Sequence, residues 1–297
     1  MNSKIALNRI NKTILLSFFT LLCLHSYSQH LRSFMQKSPS PANVVPYGAN
    51  TKAGHYVNTG DAKIYYEVYG KGKPLFMLHG GILGTTYDFA RLIDSLSKRF
   101  RVIAVSTRGH GKSELGTMPF SYKQRANDVL AVIKAVTKDS VIVLGFSDGG
   151  YTGYELASMY PERIKKLIVI GASERNPSMS FKLNFTLEAA FNMDSAFIKQ
   201  QRALMPEPQR LQEVFSSVSD FYNNHLVVDS ALLSTIKCPV LVMAGDHDPF
   251  NNVQQVVNAA KMIPNGALAI IPNATHAAFS DNFLAVWGCI LPFLNNL

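Results

Sequence analysis

The chain has 297 residues, 47% of them hydrophobic and 16% charged, with a formal net charge of +9. That length suits one large α/β domain with an inserted subdomain, or two small domains, and the composition excludes disorder as the main state. Lys4, Arg9 and Lys12 supply three of the positive charges, and the rest are scattered without a stripe or arm, so nucleic-acid binding is not expected.

Residues 1–28 read as a signal peptide. A basic, acid-free start precedes an apolar core over 14–24, shorter than the roughly 20 residues that span a bilayer. Ser26-Tyr27-Ser28 then offers the small residues a signal peptidase reads, and cleavage before Gln29 is expected. The protein is thus read as exported, periplasmic or secreted, with no stable membrane span afterwards. The rival reading is a retained anchor or a lipid-modified Cys23, and the bulky Leu22 before that cysteine disfavours lipidation. Cys238 and Cys289 are expected to be two buried free thiols rather than a disulfide.

Residues 29–50 hold Pro39, Pro41 and Pro46 among Ser and Asn and read as a flexible linker. The domain is expected over 51–297. Alternation at 55–57 and 63–69 predicts an antiparallel edge pair that turns near Thr59-Gly60-Asp61. A buried strand at 75–78 runs into His79-Gly80-Gly81. A helix over about 86–98, a strand at 102–105 and the glycine-rich loop Arg108-Gly-His-Gly-Lys-Ser113 follow. A second helix over about 125–136 leads to a strand at 141–144, whose unbroken apolar run predicts burial on both faces. Further strands are predicted at 167–170, 240–243 and 268–271, with a closing helix near 282–293. Strands and helices alternating in this way imply a mostly parallel twisted sheet covered by helices on both faces. From about 174 to 235 the alternation lapses, which predicts a helical cap insertion. Its phenylalanines, Phe181, Phe185, Phe191, Phe197, Phe215 and Phe221, are expected mostly to pack the cap, with a minority lining an apolar acyl pocket.

After the 141–144 strand stands Gly145-Phe-Ser147-Asp-Gly149, and helical spacing resumes over 151–159. G-x-S-x-G alone arises by chance in about one chain in ten of this length. Its place between strand and helix is what marks a nucleophile elbow, where glycine neighbours let the chain turn sharply enough to expose the serine. Arg108 to Ser113 ends like a phosphate loop, but Ser106 stands where that motif needs glycine. A dinucleotide fingerprint from Gly109 fails likewise at Glu114. No nucleotide cofactor is expected. Neither H-E-x-x-H nor paired Cys-x-x-Cys is present, so no metal is expected either.

A serine hydroxyl needs a base to take its proton, usually a histidine oriented by a carboxylate. In a parallel sheet these should emerge at the carboxyl ends of strands. The 240–243 strand runs into Gly245-Asp246-His247-Asp248, and the 268–271 strand into Pro272-Asn-Ala-Thr-His276. Ser147, Asp248 and His276 follow one another in the required order, with Asp246 as rival acid and His79 and His247 as the nearest other imidazoles.

Together His79-Gly80-Gly81, the Arg108–Ser113 loop, the serine motif, Gly245-Asp-His-Asp248 and His276 resemble the α/β-hydrolase-fold serine hydrolases over essentially the whole domain. The resemblance implies that the acid is Asp248, three residues past the strand-ending glycine, and that His79 orients the oxyanion loop. It implies an oxyanion hole from the backbone amides of Asp148 and Gly81, with Ile82 as the alternative to Gly81 and a candidate substrate contact. The Gly-Phe-Ser-Asp-Gly-Gly form is similar to the valacyclovir-hydrolase-like branch and its small-esterase relatives. There the acid after the serine is implicated in binding a substrate's α-amino group, and a cationic substrate would offset the charge of Asp148. The plainer expectation is that Asp148 caps the following helix. The function expected is an exported hydrolase of small-molecule carboxylic esters, acting through an acyl-enzyme without cofactor. A proline-type aminopeptidase or amidase, a cofactor-free peroxidase, and a ligand-binding receptor that retains the fold are the alternatives.

Overall fold

The structure, a computed structural model, describes residues 31–36, 45–178 and 182–295. The expected signal peptide, the middle of the expected linker and Phe181 lie outside the described residues.

Eight strands form one sheet: β1 (Gly54–Asn58), β2 (Lys63–Tyr69), β3 (Pro74–Leu78), β4 (Arg101–Val105), β5 (Val141–Phe146), β6 (Ile164–Ile170), β7 (Val240–Gly245) and β8 (Gly266–Ile271). Their order is β1-β2-β4-β3-β5-β6-β7-β8. β2 runs antiparallel to both neighbours, and β4 to β8 are joined through parallel pairs. The parallel pairs need crossovers, supplied by α1 (Ala90–Leu96), α2 (Tyr122–Val136), α3 (Asp148–Met159) and later helices. Successive strand residues point to opposite faces. Phe76, Leu78 and Val143 accordingly enter the core beneath α2 and α3. Leu75, Met77, Ile142 and Leu144 enter the opposite core with α1 residues Leu92 and Ile93. β5, central in the sheet, is buried at all six positions. β8 is the sheet edge, and despite its apolar run Leu268 is 43% exposed.

Between β6 and β7 lie α4 (Leu187–Met193), α5 (Ser195–Leu204) and α6 (Leu211–Asn224). Thr186 and Asp194 begin the first two of these by accepting the free amides of Ala189 and Phe197. Phe197 and Phe215 bury into a separate cluster with Leu211 and Val214. Phe221 packs instead against the main core, and Phe191 remains 37% exposed. α7 (Val253–Met262) and α8 (Phe283–Asn295) complete the cover of the sheet. Among the described residues no helix is long and apolar enough to cross a membrane.

The described parts of the expected linker are packed rather than free. Leu31 and Tyr47 are buried. Glu67, fully buried on β2, accepts the amides of Gly48 (2.7 Å) and Asn50 (2.6 Å) and the hydroxyls of Tyr65 (2.8 Å) and Tyr69 (2.7 Å). Burial pushes its acid up in pKa and outweighs the four donors. The cysteine expectation also needs amendment. Cys238 is buried and free, its thiol pushed up to about 11 by burial, whereas Cys289 is free but only half-buried.

Replacing Glu67 with alanine strands two buried amides without their acceptor. Glu67→Ala is expected to lower the unfolding free energy by ~2–4 kcal/mol in a urea titration. An unchanged midpoint would show that residues 45–50 are held by something else.

Candidate active site

The turn after β5 is as tight as a strand-to-helix elbow requires. Ser147 has φ 52° and ψ −117°, a left-handed conformation that is strained for a residue with a side chain. A Cβ on Gly145 would clash with the carbonyl of Gly149, and one on Gly149 with the carbonyl of Leu78. Both obstacles are backbone and cannot step aside. The flanking glycines are therefore steric necessities.

Asp248 and His276 come from the loops after β7 and β8. His276 Nε2 lies 3.0 Å from Ser147 Oγ, and Nδ1 lies 2.9 Å from Asp248 Oδ2. Phe146 and Phe250 hold the imidazole between them, with ring centroids 4.9 and 4.8 Å away. The other carboxylate oxygen of Asp248 accepts the amides of Phe250 (2.8 Å) and Asn251 (3.1 Å). Burial raises the pKa of Asp248, but these donors and the His276 bond overcome it and leave the acid below the usual carboxylate range. An ionised Asp248 accepts from Nδ1–H and leaves Nε2 as the acceptor facing the serine. Asp246, the rival acid, instead accepts the Ala274 amide (3.1 Å) and pairs with the exposed His247 (2.9 Å).

Two positioning residues escaped sequence reasoning. Asn251 is buried and donates to Asp248 Oδ2 (3.1 Å) and to the carbonyl of Gly171 (3.0 Å), while accepting the Ser173 hydroxyl (2.8 Å). Its only sequence signal is a place three residues after Asp248 in the same loop. Gly171, at the end of β6 with φ 67°, packs on the His276 ring, where a Cβ would lie 3.0 Å from Cε1.

Gly81, Ile82 and Asp148 all border the cavity that contains Ser147 and His276. Asp148 opens α3, so its amide has no acceptor within the helix. A Cβ on Gly80 would come within 3.6 Å of Ser147 Cβ, which places the turn after β3 directly beside the nucleophile. Ile82 follows with φ 43°, a rare conformation for a β-branched residue. The side chain of Asp148 has partners that neither expectation named. Its oxygens accept Tyr122 Oη (2.8 Å) and Arg125 Nη1 (2.9 Å), and it is buried under Gly81, where any Cβ would strike its carboxylate. It neither caps α3 nor presents an unpaired anion to the cavity.

The chain matches the family model of the alpha/beta hydrolase fold over residues 74–213. It is 26% identical to serine hydrolase BPHL of Mus musculus, over 82% of this chain and 88% of that one. It is 25% identical to the pimeloyl-[acyl-carrier protein] methyl ester esterase of Nitrosospira multiformis, over 76% and 97%. Among solved structures, a serine hydrolase involved in carbazole degradation (CarC enzyme) superposes with a TM-score of 0.69. That superposition covers 82% of this chain and 99% of the other at 21% identity. The chain is an α/β-hydrolase-fold hydrolase.

The cavity of the hydrolase measures about 750 Å³ and is walled by Phe34, Ile82, Leu83, Phe185, Met193 and Val218. That is the size of a pocket for a small ligand. The Arg108–Ser113 loop behind it is structural. Arg108 holds Asp128 through two bonds (2.7 and 2.8 Å) and Asp61 through a third (2.5 Å), and Ser113 Oγ donates to the Ser106 carbonyl (2.7 Å). His79 Nε2 accepts the Thr107 amide (3.0 Å), so Nδ1 carries the proton and donates to the Gly80 carbonyl (2.7 Å). That bond fixes the turn leading to Gly81.

Burial lowers His79 from 6.5 to about 4, and burial beside His79 and Arg125 lowers His110 well below its ordinary value. Both imidazoles are neutral in the folded hydrolase but take up protons below pH 6.5 once unfolded. Their contribution to stability is therefore complete above about pH 6.5 and lost as the pH falls toward 4. Each adds a slope of up to about 1.4 kcal/mol per pH unit in that window. The difference between wild-type and His79→Asn unfolding free energies, measured from pH 7.5 to 4.5, is expected to shrink with acidification. A constant difference would contradict a buried neutral His79.

Proposed function

We propose that the hydrolase cleaves small, neutral carboxylic esters through an acyl-enzyme on Ser147. The observation that carries this reading is the unbroken hydrogen-bond chain from Ser147 through His276 to Asp248, opening on an apolar cavity. Ser147 Oγ attacks the ester carbonyl while His276 Nε2 takes its proton, and Asp248 stabilises the imidazolium that forms. The amides of Asp148 and Gly81 receive the negative charge of the tetrahedral intermediate, each such donor being worth about 10²–10³ in rate. His276 then protonates the departing alkoxide. Water attacks the acyl-enzyme by the same proton route in reverse and releases the acid.

The ion pair beneath the oxyanion site supports neutral substrates. Arg125 already balances the charge of Asp148, so no ammonium group is needed to offset it. The apolar walls of the cavity favour a hydrocarbon group on the substrate. The kinship with a methyl ester esterase supports ester over amide chemistry. The order of basic, apolar and small residues over 1–28 supports action after export.

A fluorophosphonate probe is expected to label the wild-type chain and to leave Ser147→Ala unlabelled, with ester turnover reduced by about 10³ or more in that variant. A folded wild-type chain that takes no label would remove the acyl-enzyme. Arg125→Met leaves a buried anion facing a forming oxyanion, and kcat is expected to fall about 10²-fold. Adding Asp148→Asn to Arg125→Met should restore most of that loss; equal losses in the single and double variants would refute the charge balance.

A further inference from the structure

The cavity has a wall supplied from ahead of the first strand. Residues 31–36 lie ahead of the first strand, yet they are anchored on α5 through both backbone and side chains. The Gln200 amide donates to the carbonyl of Arg32 and accepts its N–H, both at 3.1 Å. Asp194 accepts the Arg32 guanidinium (3.0 Å) and the amide of Met35 (2.8 Å). The hydroxyl of Ser33 bonds to Asp88, and Leu31 is buried at 3% exposure. A turn closed by Gln36 N–H on the Ser33 carbonyl (3.2 Å), with Met35 at φ 57°, presents Phe34. The ring of Phe34 stands edge-on to Phe197 (5.4 Å between centroids) and Phe185 (6.2 Å), and it borders the same cavity as Ser147 and His276.

We propose that Phe34 is a specificity-determining residue: a side chain from ahead of the first strand bounds the apolar cavity and sets how long a hydrocarbon group it accepts. The proposal deepens the ester reading above and rests on it for the identity of the substrate. The ring that borders the cavity packs edge-on against two others, and one methylene more or less in such a pocket changes discrimination by about 10-fold or more.

The test uses the full chain and two ester panels, one lengthening the acyl group and one the alcohol. On one of these panels Phe34→Ala is expected to raise the long-over-short ratio of kcat/KM by about tenfold, and Phe34→Trp to lower it. The pair Arg32→Ala with Gln200→Ala loosens the segment without changing its ring, and it should shift the ratio in the same direction as Phe34→Ala. It also serves if Phe34→Ala does not fold. The same variants in a Ser147→Ala background, titrated calorimetrically with hexanoic and dodecanoic acid and with hexanol and dodecanol, report the cavity without turnover. Opposite shifts in binding with no hydrolysis by the active chain would uphold Phe34 and discard the ester reading alone. Ratios that stay put, or move together for alanine and tryptophan, would overturn the role of Phe34.

Discussion

The backbone of Gly149 rests against the carbonyl of Leu78, and that contact organises the reactive rim. β3 and β5 are parallel neighbours, with Leu78 level with Gly145, so both chains leave the sheet at one edge. A helix packed this closely on the end of β3 forces the Ser147 turn and the Gly80-Gly81 turn into one space. A second contact of the same kind operates across the sheet. Gly245, ending β7, has no room for a Cβ beneath the carbonyl of Ala274, and this presses the loop bearing Asp248 onto the loop bearing His276. Hydrogen-sized side chains at Gly145, Gly149 and Gly245 thus determine where three reactive groups meet.

Two buried carboxylates flank the nucleophile, and their surroundings assign them different work. Asp248 collects three nitrogen donors besides the histidine, all aimed so that one oxygen stays on Nδ1. Asp148 is bound by a guanidinium and a phenol on α2. The first keeps its charge to orient an imidazole. The second has its charge balanced so that its own amide, a few bonds away, can face an anion. Arg125 in turn stacks on Phe120 (4.4 Å), which leaves its guanidinium little freedom to abandon the pair.

Most of the sheet and the order of Ser147, Asp248 and His276 could be read from sequence because their signals are local: apolar runs for strands, glycines for tight turns, polar residues just past strand ends. What could not be read depends on partners far away in the chain. Arg32 and Gln200 are separated by 168 positions, and nothing near either one announces the other. The prolines of the 29–50 stretch suggested slack, while Glu67, which pins its second half, looked like an ordinary polar residue in an alternating strand. The partners of Asp148 were hidden for the same reason, since Arg125 and Tyr122 reach it from a different helix. The exposure of β8 follows from its place last in the sheet, a property of topology rather than of the 268–271 apolar run.

Cys238 carries an implication for handling and survival. With its thiol pushed up to about 11, only about one molecule in ten thousand holds the reactive thiolate at neutral pH. Alkylating reagents and dissolved oxygen act through that form, so the sulfur is chemically quiet for as long as the fold is intact. Such a residue tolerates oxidants without a disulfide to guard it, and its modification by a maleimide would serve as a clock for unfolding.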